Sequence, residues 1–131
     1  MKKTMLINSR ISAVIATMGH FDTLTIGDAG LPVPNGLERI DLALMKGIPA
    51  FLDVLRCVLT ELQVQRVFIA SEMRQKNTPL YEQMAQIFKG IDIVEVPHEE
   101  FKTLTKDSKA VVRTGECLPY ANIILESGVT F

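Results

Sequence analysis

Apolar residues recur along this chain with two different spacings, and the switches between them mark out the elements. Thr4 to Ile7 reads as a short opening strand. Ile11, Val14, Ile15 and Met18 then fall at i, i+3, i+4 and i+7, the one-faced spacing of a helix, with Asn8 or Ser9 as its cap and Gly19 as its stop. Leu24, Ile26 and their neighbours form a strand that runs into Asp28-Ala29-Gly30-Leu31-Pro32-Val33-Pro34-Asn35-Gly36. Two prolines and two glycines make that segment a rigid loop. Arg39 to Leu44 is a further strand, and Lys46-Gly47-Ile48-Pro49 turns the chain into a helix with Phe51, Val54, Leu55, Val58, Leu59 and Leu62 on one face.

Arg66 to Ala70 reads as a buried strand, followed by a polar loop and a helix capped by Thr78, with Pro79 at the favoured first position. Ile91 to Val96 is a strand, Pro97 opens a short helix that turns Phe101 and Leu104 inward, Lys109 to Arg113 is a strand and Ala121 to Leu125 the last one. Alternation of this kind predicts an α/β fold, a three-layer sandwich with a central sheet of about six strands flanked by helices. Two strands in succession at the end make the sheet mixed. The 131 residues form a single domain, 1–131, long enough to bury about two-thirds of the unfolded surface.

Composition changes this picture in three ways. Hydrophobic residues make up 47% of the chain, a high share for a small domain, so part of the apolar surface is expected between subunits. Fourteen basic and fifteen acidic residues nearly cancel, with no dense Lys/Arg stripe, which argues against nucleic acid as a partner. Nothing approaches the ~20 apolar residues of a membrane span, and Asn8, Ser9 and Arg10 break the apolar run behind Lys2 and Lys3 that would imitate a secretory signal. Cys57 and Cys117 show no CxxC spacing or disulfide framework. A cytoplasmic location is the expectation.

Several motifs are set aside. Gly27-Asp28-Ala29-Gly30 lacks the third glycine and the following helix of a dinucleotide site, and no GxxxxGK[ST] loop exists. The only histidines, His20 and His98, are far apart in sequence, too few for the usual ligands of a catalytic zinc. Ser9 and Ser71 have no nucleophile elbow. The remaining candidates sit where open α/β sheets hold ligands, beyond the carboxyl ends of the strands. Asp28 ends one strand, His98 follows another, Tyr120 and Asn122 flank the start of the last, and His20 sits just past a helix. Taken singly, each has an ordinary structural role as turn residue, exposed helix residue or packed aromatic.

Taken together, the segments resemble the D-ribose pyranase (ribose mutarotase) family of the RbsD and fucose-mutarotase superfamily, over essentially the whole chain. The resemblance rests on Leu6-Ile7-Asn8-Ser9, Gly19-His20-Phe21-Asp22, Asp28 to Gly36, Ile40-Asp41-Leu42-Ala43, His98-Glu99-Glu100-Phe101-Lys102, Thr105-Lys106-Asp107, Arg113-Thr114-Gly115-Glu116 and Pro119-Tyr120-Ala121-Asn122. Phe21 departs from the pattern, since the family more often carries a small polar residue beside the histidine. The resemblance implies exchange of free D-ribose between pyranose and furanose rings, with His20 as proton donor. It makes Asp28, His98, Tyr120, Ala121 and Asn122 substrate contacts, with Lys102 a further candidate. It implies a homo-oligomer, a decamer, with sites near subunit contacts, and neither cofactor nor metal.

The residue types suit that chemistry. Ring opening needs a proton delivered to the ring oxygen while another leaves the anomeric hydroxyl, and a histidine titrating near ~6.5 can both give and take one. Asp28 accepts hydrogen bonds from hydroxyls, Asn122 donates and accepts, and Tyr120 offers a flat face and a hydroxyl. Two other readings use the same residues: a fucose-type mutarotase exchanging α and β anomers, and a non-catalytic sugar-binding accessory of a transporter. A purely structural ring-forming subunit leaves the polar loop residues unexplained.

Overall fold

The computed structural model describes residues 1–131. Strands β1 (Thr23–Gly27), β2 (Arg39–Asp41), β3 (Val64–Ala70), β4 (Asp92–Val96), β5 (Val111–Arg113) and β6 (Ile123–Ser127) form one sheet in the order β2-β5-β1-β6-β3-β4. β1 pairs in parallel with β5, β5 with β2 and β3 with β4, while β6 runs antiparallel to both neighbours, β1 and β3. The mixed sheet anticipated from the strand-to-strand ending is therefore present, and its one reversed strand lies inside the sheet.

Alternation along each strand sends side chains to two layers. Leu24 faces Leu125 and Ile26 faces Ile123 across the β1–β6 ladder. These residues, with Val67, Ile69 and Val112, pack under four helices, α1 (Ser9–Thr17), α2 (Phe51–Leu59), α3 (Met73–Lys76) and α4 (Thr78–Ile87), which contribute Ile11, Val14, Phe51, Val54, Leu55, Val58, Met73, Leu80 and Met84. The opposite layer is thinner. There Phe101 of α5 (His98–Leu104) packs with Leu31, Val96, Val111 and Ile124. Thr25, the outward partner of this alternation in β1, is fully buried, and its hydroxyl is satisfied by that of Ser108 at 2.7 Å.

Four local expectations change. Thr4 to Ile7 is not a strand: Leu6 alone turns inward between exposed Met5 and Ile7, an alternation too short to recruit a partner. Thr4 Oγ1 and Lys2 Nζ instead donate to Glu61, at 2.7 and 3.1 Å, and tie the segment to the end of α2. Asn8 is the cap of α1, its Oδ1 accepting from the Ile11 N–H at 2.9 Å, but Gly19 does not stop the helix, which ends at Thr17 through an extended Met18. Thr78 caps nothing. Asn77 holds the cap position of α4, and the Thr78 hydroxyl donates back to the Arg74 carbonyl across α3, a single helical turn inside what reads as a polar loop. The strand expected over Arg39 to Leu44 stops at Asp41, and Leu44 is exposed.

Leu55 is fully enclosed beneath α2. Leu55→Ala is expected to lower unfolding free energy by about 2–5 kcal/mol, read as a shift in the denaturant midpoint at unchanged slope.

Candidate functional site

Reversal of β6 brings its amino end to the same edge as the carboxyl ends of the five other strands. That edge is where parallel strands present ligands, and it gathers most of the candidate residues. Asp28 leaves the end of β1 and Asn122 enters β6 beside it. The Asp28 N–H donates to Asn122 Oδ1 at 2.8 Å, and Asn122 Nδ2 donates to Asp28 Oδ2 at 2.9 Å, while the Gly30 N–H holds Asp28 Oδ1 at 2.9 Å. Asn122 is almost wholly buried, so its amide orientation is fixed by this reciprocal pair. Gly27 makes the approach possible: a Cβ there would lie 2.6 Å from Leu31 Cδ2 and 3.1 Å from Asn122 Oδ1.

His98 starts α5 just past β4. Its backbone N–H donates to both carboxylate oxygens of Glu72, at 3.0 and 3.1 Å. Its ring lies nearly parallel to Phe101 at 6.2 Å and meets Tyr120 edge-on at 5.2 Å. Wedged there, Nδ1 is buried and has no hydrogen-bond partner, the one buried side-chain nitrogen or oxygen in the molecule left so. Burial pushes the Glu72 carboxyl upward, but the N–H groups of His98 and of Glu72 itself, the nearby imidazole and the Ser71 hydroxyl outweigh it and hold it below the usual carboxylate range.

Tyr120 adopts a left-handed backbone, φ 57°, which costs a residue with a side chain on the order of 1–3 kcal/mol. The Asn122 N–H donates to its carbonyl at 2.9 Å, and buried Asn77 donates through Nδ2 to the Pro119 carbonyl at 3.0 Å. These bonds hold the ring over His98. Ala121, between the two polar residues, is buried. Lys102 lies one turn along α5 from His98, with Nζ 2.7 Å from Glu99.

His20 lies elsewhere. It precedes β1, whereas Asp28 follows it, and the six residue steps from Asp22 to Asp28 at about 3.3 Å each put the two on the order of 20 Å apart. The histidine belongs to the opposite edge, in a hollow of about 390 Å³ lined by Ile15, Met18, Gly19, Glu61 and the chain from Ser127 to Phe131. Phe21 beside it is left-handed at φ 69° and stacks on the imidazole at 3.8 Å. The Phe21 N–H donates to the Ser127 carbonyl and the Ser127 N–H to that of Asp22, stitching this turn to the end of β6. Asp22 Oδ2 accepts from the Gly19 N–H, and Lys109 lies 3.2 Å from Asp22 Oδ1; together they hold the Asp22 carboxyl below its ordinary range.

The chain thus assembles Asp28, His98, Tyr120, Ala121 and Asn122 at one edge and leaves His20 apart. Glu72 and Asn77, which orient His98 and the Tyr120 turn, escape sequence reasoning because they fall in the stretch that reads as featureless polar loop. Their position just past β3, another strand ending at this edge, is the signal that could have found them. No three His, Cys, Asp or Glu side chains converge within the chain. The edge cluster combines a carboxylate, an amide, a phenol and an imidazole around small residues, a set that reads hydroxyl groups.

A model of the RbsD / FucU transport protein family matches residues 1–130. The chain is 59% identical to a D-ribose pyranase of Coprothermobacter proteolyticus, over the full length of both. It superposes on the structure of Bacillus subtilis RbsD complexed with D-ribose with a TM-score of 0.97 at 46% identity, again covering both chains completely. The fucose mutarotase of Streptococcus pneumoniae, solved in complex with L-fucose, gives a TM-score of 0.76 at 27% identity, with complete coverage of both chains.

Since the folded-state pKa of Glu72 is depressed, its contribution to stability is present above the unfolded value of about 4.3 and lost as pH falls through the folded one. Glu72→Gln is expected to be less stable than the parent at neutral pH and to lose less on acidification below about pH 5, in denaturant titrations run across that range.

Proposed function

This chain belongs to the RbsD / FucU transport protein family, and on that premise we propose that it is a D-ribose pyranase, an isomerase that exchanges free D-ribose between pyranose and furanose rings. The observation that carries the reading is the unpartnered Nδ1 of His98, enclosed between Phe101 and Tyr120 at the edge where Asp28 and Asn122 hold each other. A buried imidazole nitrogen without a partner is costly unless a ligand hydroxyl completes it. In this reading Asp28 accepts from sugar hydroxyls with its remaining lone pairs, Asn122 and the Ala121 peptide fix a second hydroxyl, and the Tyr120 ring covers one sugar face.

His20 supplies the proton in this scheme. It protonates the ring oxygen as a base removes the anomeric proton, the open chain turns, and closure through a different hydroxyl returns both protons. A residue on the order of 20 Å from the sugar contacts of its own chain serves them only from another copy. Large apolar side chains stand exposed next to both halves, Phe21 beside His20 and Leu118 beside the Tyr120 turn, and Met5, Ile7, Met45 and Ile48 leave further apolar surface open. Such surface supports a homo-oligomer, for which the family resemblance implies a decamer, in which His20 of one subunit completes the site of a neighbour. A cytoplasmic location accords with Cys57 and Cys117 being free thiols, and no helix is long and apolar enough to cross a membrane.

Saturation transfer between the pyranose and furanose signals of D-ribose measures the reaction directly. The parent is expected to speed exchange, and His20→Ala to lower the rate about 10²–10⁴-fold; an unchanged rate in the variant would remove His20 from the chemistry. Ribose binding with no acceleration by the parent would identify a carrier instead, and faster exchange of L-fucose anomers a fucose-type enzyme. Mixing His20→Ala with Asp28→Ala subunits after reversible dissociation is expected to restore part of the activity, because some sites then combine two unaltered halves. No recovery would mean that one subunit supplies both residues.

A further inference from the structure

The only polar contact to the His20 ring comes from a residue that the strand pairing itself singles out. Val64 lies opposite Ser127 and Arg66 opposite Glu126, so Gln65 between them is the extra residue of a β-bulge at the start of β3. A bulge re-aims the side chain it carries. Gln65 Oε1 lies 2.9 Å from His20 Nε2, and Gln65 Nε2 donates to Glu126 Oε1 at 2.9 Å. Glu126 is 7% exposed, and its other oxygen lies 3.9 Å from Arg66, which also pairs with Asp92. Gly128 keeps the space open, since a Cβ there would come within 3.1 Å of Gln65 Cβ.

The order of donors along this chain follows from chemistry alone. A carboxylate only accepts, so Gln65 must turn its amino group to Glu126 and its carbonyl to His20. A carbonyl also only accepts, which requires the proton of a neutral His20 to be on Nε2 and leaves Nδ1 as the basic nitrogen. We propose that Gln65, oriented by Glu126, is a positioning residue that sets the tautomer of His20 and so presents Nδ1 to the reacting sugar. The inference rests on His20 being the acid–base residue. Other charged groups around the hollow, Asp22 with Lys109 on one side and Glu61 on the other, make no contact with the ring. They bear on its charge without selecting a nitrogen.

Two histidines in the whole chain make the test legible by long-range ¹H–¹⁵N correlation of the side-chain nitrogens, with His20 identified by the loss of its signals in His20→Ala. In the neutral ring of the parent, Nε2 is expected at the position of a protonated nitrogen and Nδ1 at that of a bare one. Glu126→Gln keeps the shape and touches no atom of His20, but it frees the Gln65 amide to turn over. In Glu126→Gln, and in Gln65→Met, the two nitrogen shifts are expected to move toward each other and the ribose exchange rate to fall about three- to tenfold, with KM little changed. A proton on Nδ1 in the parent, or loss of rate with unaltered ring shifts in both variants, would overturn the proposal. Were His20→Ala to exchange ribose normally, the catalytic reading would fail while the tautomer measurement still decided whether Gln65 governs the ring.

Discussion

Insertion of one reversed strand between β1 and β3 governs everything functional in this molecule. β6 hydrogen-bonds on both sides along its length, with Leu125 facing Leu24 on one flank and Val67 on the other. Because it runs against its neighbours, its amino end meets their carboxyl ends and its carboxyl end meets the start of β1 and β3. Tyr120-Ala121-Asn122 and Asp28 are joined at one edge by the first consequence. Glu126 and Ser127 meet Gln65 and the His20 turn at the other by the second. A parallel β6 would have exchanged these partners and left the half-buried backbone N–H of Asp28 with no Asn122 to accept from it.

Both edges pay in backbone strain for the placement of an aromatic ring. Tyr120 and Phe21 are the two residues with side chains in the left-handed region, and each lies against a histidine. Each turn is held from outside by hydrogen bonds: Asn77 to the Pro119 carbonyl at one edge, the Phe21–Ser127–Asp22 stitch at the other. At roughly 1 kcal/mol net per bond, two or three of them offset a left-handed residue. Local strain of this size persists only where the surroundings over-determine it, and here the surroundings are the two ends of the same strand.

Much of the architecture was legible because it depends on periodicity. Phe51, Val54, Leu55 and Val58 lie on one buried face as their spacing demands, and the alternation of Ile123, Ile124 and Leu125 sends neighbours to opposite layers. The errors fall where the pattern is short. Met5-Leu6-Ile7 alternates like a strand but has a single inward residue, and hydrogen bonds to Glu61 decide its path. Met73 to Lys76 has one buried side chain in a single turn, too little periodicity to announce a helix. The bulge that aims Gln65 leaves no mark at all, since its cause is the register between β3 and a strand some sixty residues away.

By itself the sequence determined the layered α/β class, the polar loop ends and, through resemblance, the reaction to expect of them. Those are matters of composition, local period and residue type. Tertiary structure decided which residues meet. It joined Asp28 to Asn122 across 94 positions and put His98 against Tyr120. His20 was set at the far edge, because a residue before a strand and a residue after it lie a strand's length apart however close they stand in sequence.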